Sequence, residues 1–81
     1  MTLDQLPVGA SCRVTSLTAP DGMYRRLREL GLIDGARVTC LMKSPLGDPT
    51  AYRICGAVIA LRNNDAATVE TERTDAAWDR Q

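Results

Sequence analysis

The spacing of apolar positions switches between two periods along this chain. Over residues 12–17, Cys12 and Val14 alternate with polar Arg13 and Thr15, the period of two expected of a strand with one buried face. Met23, Leu27 and Leu30 then recur at i, i+4 and i+7, an apolar stripe that predicts a helix over residues 23–30. Asp21, in the break Ala19-Pro20-Asp21-Gly22, stands where it can cap that helix. Gly31 stands where a left-handed residue is wanted just past a helix end. A helix of about two turns is not stable alone, so it has to lean on the rest of the fold. Leu32-Ile33 is an apolar step that closes the core before the turn at Asp34-Gly35.

Alternation returns at residues 37–43, where Val38, Cys40 and Met42 share a face, and at 51–55, where Tyr52 and Ile54 do. Two more strands are predicted at 57–62 and 67–71. Turn chemistry separates them: Ser44-Pro45-Leu46-Gly47-Asp48-Pro49 cannot form a ladder interior, Gly56 marks a turn or bulge, and Asn63-Asn64-Asp65 is a polar turn. Upstream, Thr2-Leu3-Asp4-Gln5 has the form of a capping box and predicts one helical turn, ended by Pro7 and Gly9. Five strands with no second helix cannot alternate into a parallel sheet. A small antiparallel barrel is the economical way to bury their apolar faces and limit open edges. We expect one domain over residues 1–72 and a frayed tail at 73–81.

The 81 residues fit a single domain whose core is thin, since a chain this small buries only roughly 60% of its unfolded surface. Ten basic residues balance ten acidic ones, whereas nucleic-acid binders usually carry a basic excess. With no phenylalanine, the aromatic residues are Tyr24, Tyr52 and Trp78, too few for a stacking platform. No nucleic-acid partner is expected. No apolar run is long enough to span a membrane and the N-terminus lacks the form of a signal peptide, so a cytoplasmic protein without membrane insertion is expected.

Chemistry is sparse. Histidine is absent, which removes the commonest general base and metal ligand. Gly31, Gly35 and Gly47 fit neither phosphate-binding glycine motif. Asp21, Asp34, Asp48 and Asp65 lie in turn sequences, where turn chemistry explains them. Cys12, Cys40 and Cys55 are odd in number and form no C-x-x-C pair, so neither a disulfide framework nor a metal site is expected. Thiolates can bind iron, but Cys12 and Cys40 fall on inward parity, as small buried hydrophobes do. No enzyme, cofactor or metal is expected.

Two segments read together carry more. Arg26-Leu27-Arg28-Glu29-Leu30-Gly31-Leu32-Ile33-Asp34-Gly35 is followed by Pro45-Leu46-Gly47-Asp48-Pro49, then Gly56 and Ala60-Leu61-Arg62. In these signatures the chain resembles the FeoA family, small cytoplasmic proteins of bacterial ferrous-iron uptake, over roughly Leu3 to Thr71. Asp34 stands where that family often has proline, and Thr50 where an aliphatic residue is common. The resemblance implies a mostly β fold: a small SH3-like, five-stranded antiparallel barrel with one short inserted helix. It also implies a partner, the cytoplasmic region of FeoB, a membrane ferrous-iron transporter with a GTP-binding domain, and an accessory or regulatory role exerted by protein–protein binding. Related domains occur in metal-dependent repressors, so a regulatory domain of that kind is the alternative, with a self-assembling or nucleic-acid-binding small barrel beside it.

The candidate contact residues are Leu27, Leu30, Leu32, Leu46, Gly47 and Asp48. The helix stripe and the Leu32-Ile33 step mostly serve the core. A thin core cannot hide every large residue, and whichever of Leu27, Leu30, Leu32 and Leu46 stays exposed is a candidate partner anchor. The Pro45–Pro49 loop is either a recognition loop, pre-stiffened by two prolines, or a rigid connection with Leu46 tucked into the barrel. Arg25, Arg26 and Arg28 form a solvated basic cluster or a steering surface. Self-association through an exposed edge strand, such as residues 51–55, is a further possibility.

Overall fold

The computed structural model describes residues 1–74. Its strands are β1 (Ser11–Leu17), β2 (Arg37–Lys43), β3 (Thr50–Ile54), β4 (Ala57–Leu61) and β5 (Val69–Arg73). All pairings are antiparallel and the sheet order is β4-β3-β2-β1-β5. Helix α1 (Asp21–Glu29) is inserted between β1 and β2, and a 3₁₀ turn at Leu3–Gln5 precedes β1. A single helical turn, α2 (Asn63–Ala66), joins β4 to β5.

One core holds these elements together. Every strand sends residues inward: Val14, Val38, Tyr52, Leu61 and Val69 are all buried in one cluster. Leu3 and Leu6 from the N-terminal turn, Leu27 from α1 and Leu32 after it complete that cluster. Each large side chain so buried contributes roughly 1.5–3 kcal/mol. The N-terminal turn forms as its capping box predicts, with Gln5 Oε1 accepting from the Thr2 N–H at 3.0 Å. β3 and β4 are joined by Cys55-Gly56 alone, both at positive φ (51° and 83°). That is the two-residue hairpin turn whose twist matches the strands it connects.

Several expectations need correction. Met42 does not share the face of Val38 and Cys40, because the β2–β3 register shifts between Cys40 and Met42. The extra residue of this bulge turns Met42 out, leaving it 62% exposed. Ile33 does not close the barrel: Leu32 takes the inward position and Ile33 is 44% exposed. Asp21 lies inside α1, in its first turn, where its carboxylate complements the helix dipole, and Pro20 is the cap residue. Asn63-Asn64-Asp65 is helical, since the Asp48 carboxylate accepts the otherwise orphaned Asn63 N–H at 3.0 Å. The segment 51–55 is no edge: β3 is paired on both sides, and β4 and β5 are the edges. Arg73 belongs to β5, opposite Cys12, and the rest of the expected tail from residue 75 lies outside the described residues.

Candidate partner-binding site

The loop between β2 and β3 holds a large apolar side chain out in solvent. The Gly47 N–H donates to the Ser44 carbonyl at 2.8 Å, closing a turn with Pro45 at the position whose φ proline pre-sets. The Ser44 N–H donates to the Pro49 carbonyl at 3.1 Å, tying the two ends of the loop together. Asn63, at the start of α2, fixes the tip: its Nδ2 donates to the Gly47 carbonyl at 3.0 Å while its backbone N–H donates to Asp48. Gly47 has a φ of 85°, a conformation that side chains rarely adopt. The loop's backbone is thus tied to α2 and to itself, and Leu46 is left outside, 94% exposed.

The outer face of the sheet carries further exposed apolar residues. The register places Met42 opposite Ala51, Ala51 opposite Ala60, and Arg53 opposite Val58. Met42 and Val58 are each 62% exposed. On the other side of β4, a groove of about 370 Å³ separates the sheet from α1. Met23, Leu27 and Leu30 line one wall, Ile59 and Leu61 the other, and Pro49 brings the groove up to the loop. Arg26 and Arg62 also border it.

The six residues singled out in the sequence therefore separate. Leu27 and Leu32 are buried and present no surface of consequence. Leu30 is half-buried on the groove wall. Leu46, Gly47 and Asp48 lie together on the pinned loop, with Leu46 outside the barrel rather than tucked into it. Sequence reasoning missed Met42, Val58 and Asn63. The first two needed the bulge and the strand order; Asn63 acts through contacts 15 and 16 residues away, for which the sequence carries no local signal.

The charged and thiol groups add little chemistry. Arg25, Arg26 and Arg28 are exposed, and the Arg28 guanidinium lies 5.9 Å from the Tyr24 ring centroid. Cys12 and Cys40 are buried and Cys55 is exposed. Burial pushes the Cys40 thiol up from its ordinary range. No group of three or more Cys, Asp or Glu among the described residues could hold a metal ion. No helix among them is long and apolar enough to cross a membrane.

Replacing Asn63 by Ala removes the side-chain bond to Gly47 and the longer one, 3.4 Å, that Asn63 Oδ1 accepts from the buried Thr50 hydroxyl, and leaves the fold standing. The expected loss is about 1–2 kcal/mol, the ordinary net value of two hydrogen bonds of which one is long. Denaturant midpoints would measure it, and faster hydrogen exchange at the Gly47 amide would place it in the loop.

Comparison with known proteins places this geometry. A family model described as the FeoA domain matches residues 1–73. The Fe(2+) transport protein A/Fe(2+) transporter FeoB fusion protein of Porphyromonas gingivalis is 32% identical over 72 residues, which cover 89% of this chain and 8% of the fusion. The chain thus spans under a tenth of that relative's length. The solution structure of a FeoA protein from Chlorobium tepidum superposes with a TM-score of 0.85 at 36% identity, covering 90% of this chain and 70% of that one. The crystal structure of Stenotrophomonas maltophilia FeoA, complexed with zinc and described as a prokaryotic SH3 domain protein, gives 0.79 at 37% identity, with 89% of each chain covered.

Proposed function

The chain belongs to the FeoA family, associated with ferrous-iron transport, and from that premise we propose that it docks on the cytoplasmic region of a FeoB-like transporter and biases that transporter's state. It acts by binding and catalyses no reaction. The observation that carries this reading is Leu46: a large apolar side chain, 94% exposed, on a loop whose backbone is fixed by Asn63. The backbone that carries it is already fixed, so association has little loop freedom to freeze and the burial of Leu46 is available as affinity. Leu30 and the groove between α1 and β4 extend the same surface.

The fused relative supports the choice of partner, because a tether keeps two modules at high effective concentration and suits a weak contact. The contact is modest, near the lower end of about 1,200 Å² for transient encounters. It shifts the transporter only as far as the module prefers one of its conformations.

An NMR titration of the labelled chain with the soluble GTP-binding domain of its transporter, with and without guanine nucleotide, tests this. Shifts are expected on the 44–49 loop and along the groove, altered by nucleotide. Replacing Leu46 by Asp is expected to weaken binding at least tenfold, as loss of a hot-spot side chain does, and to leave thermal stability unchanged. Absence of shifts, or binding indifferent to that substitution, would count against the proposal.

A further inference from the structure

The two edges of the sheet are treated differently. The outer edge of β5 is covered: the Thr71 N–H donates to the Met1 carbonyl at 2.7 Å and Thr2 bridges Glu70. β5 also carries Glu70, Glu72 and Arg73, charges of the kind that keep an edge from pairing. The outer edge of β4 pairs with no strand among the described residues. Its sequence, Ala57-Val58-Ile59-Ala60-Leu61, has no charge and no proline, and its ladder with β3 runs through all five residue pairs without a bulge. It carries no charge, proline or bulge of its own to discourage pairing, and α1 flanks it only across the groove.

The hairpin fixes which backbone groups this edge offers. A two-residue turn is closed by a hydrogen-bonded pair, here Ile54 opposite Ala57. Bonded and non-bonded pairs alternate along an antiparallel ladder. Ala57, Ile59 and Leu61 therefore bond to β3, while Val58 and Ala60 turn their N–H and C=O groups away from it. Both residues are exposed.

We propose that β4 is a self-association edge that pairs antiparallel with β4 of a second copy about a two-fold axis at Ile59. That register sets Val58 against Ala60 of the second copy, and Ala60 against its Val58. Both are edge-facing residues, so each pair exchanges both of its backbone bonds. Ile59 meets its own symmetry mate in the closer, non-bonded type of pair. A two-fold contact must be self-complementary. A charged strand would set like charges near the axis, and β4 has none. Ala60 of each copy leaves little bulk on the outer face beside the axis. The contact is small, so the dimer is weak and concentration-dependent.

Sedimentation velocity of the full chain across a hundredfold range upward from about 10 μM tests this without any transporter. The expected result is a monomer–dimer equilibrium in which the Val58 and Ala60 amides exchange more slowly as concentration rises. Val58→Pro removes an edge-facing N–H and no bond of the β3 ladder, the setting in which proline is tolerated on an edge. It is expected to abolish the dimer, with the far-UV CD spectrum retained. Should Val58→Pro fail to fold, Ala60→Lys asks the same question by adding a charge beside the axis. A chain monomeric throughout, even if a foreign peptide then protects Val58 and Ala60, overturns the proposal. So does a dimer that survives the folded edge variants.

Discussion

Replacing Gly31 by Ala is expected to cost about 3 kcal/mol of stability, which in a domain of this size lowers Tm by roughly 12–24 °C. Two independent penalties add. Gly31 has a φ of 106°, and holding a side-chain residue in so sparsely populated a conformation costs about 1–3 kcal/mol. A Cβ there would also stand 3.0 Å from Cys55 Sγ and 3.1 Å from Ile54 Cγ2. The Cys55 side chain is exposed and can rotate, but Ile54 is buried and has nowhere to go. Crowding of that kind typically adds about 1–3 kcal/mol. Gly35 separates the two effects, since its φ is 88° and nothing lies within 4 Å of its Cβ position. Gly35→Ala should therefore show the backbone penalty alone. Urea denaturation of both variants checks the difference; equal losses would mean that the hairpin gives way at Ile54.

The same contact bears on function. Gly31 lets the end of α1 touch the β3–β4 turn, and α1 and β4 are the two walls of the groove. A methyl group at residue 31 would push the walls apart, so Gly31→Ala should lower partner affinity beyond what its unfolded fraction explains.

Much of this was written locally in the chain. The i, i+4, i+7 stripe located α1, and the glycine after it marked where α1 stops. Cys12 with Val14, and Tyr52 with Ile54, alternate because the ladders they sit in are regular at those points, so parity alone told inside from outside. Parity failed at Met42, where a bulge consumes one residue and reverses every side chain after it. Nothing in Cys40-Leu41-Met42 announces that bulge, which is set by how β2 must bend to meet β3. The edge was misplaced for a different reason. Short connections on both sides of β3 already force it between its sequence neighbours, and that signal was available. What the sequence lacked altogether was the contact from Asn63 to Gly47 and Asp48, which decides that Leu46 points outward. The signature leucine of the loop was therefore visible, but its exposure was not.

Alkaline solution is expected to unfold this protein through Tyr52. The side chain is fully buried, and its hydroxyl lies 3.4 Å from the Leu3 carbonyl to which it donates. Burial first, and the neighbouring Cys40 second, push the phenol from its ordinary value of 10.0 up to about 12. The folded state thus keeps a proton that the unfolded state has already lost between those values. Stability falls with rising pH wherever the folded state binds more protons. Tyr52's contribution is therefore fully present below pH 10 and is lost as pH rises through 12. Two pKa units correspond to about 2.7 kcal/mol, a large share of the stability of a small domain. Burial raises the Cys40 thiol too, so the decline starts below the tyrosine window. Denaturant unfolding measured at intervals from neutral to strongly alkaline pH should show this slope. Tyr52→Phe keeps the ring in the core and has no phenol to ionise, so it should start slightly less stable and decline less steeply. A variant that declines as steeply as the parent would place the alkaline sensitivity elsewhere.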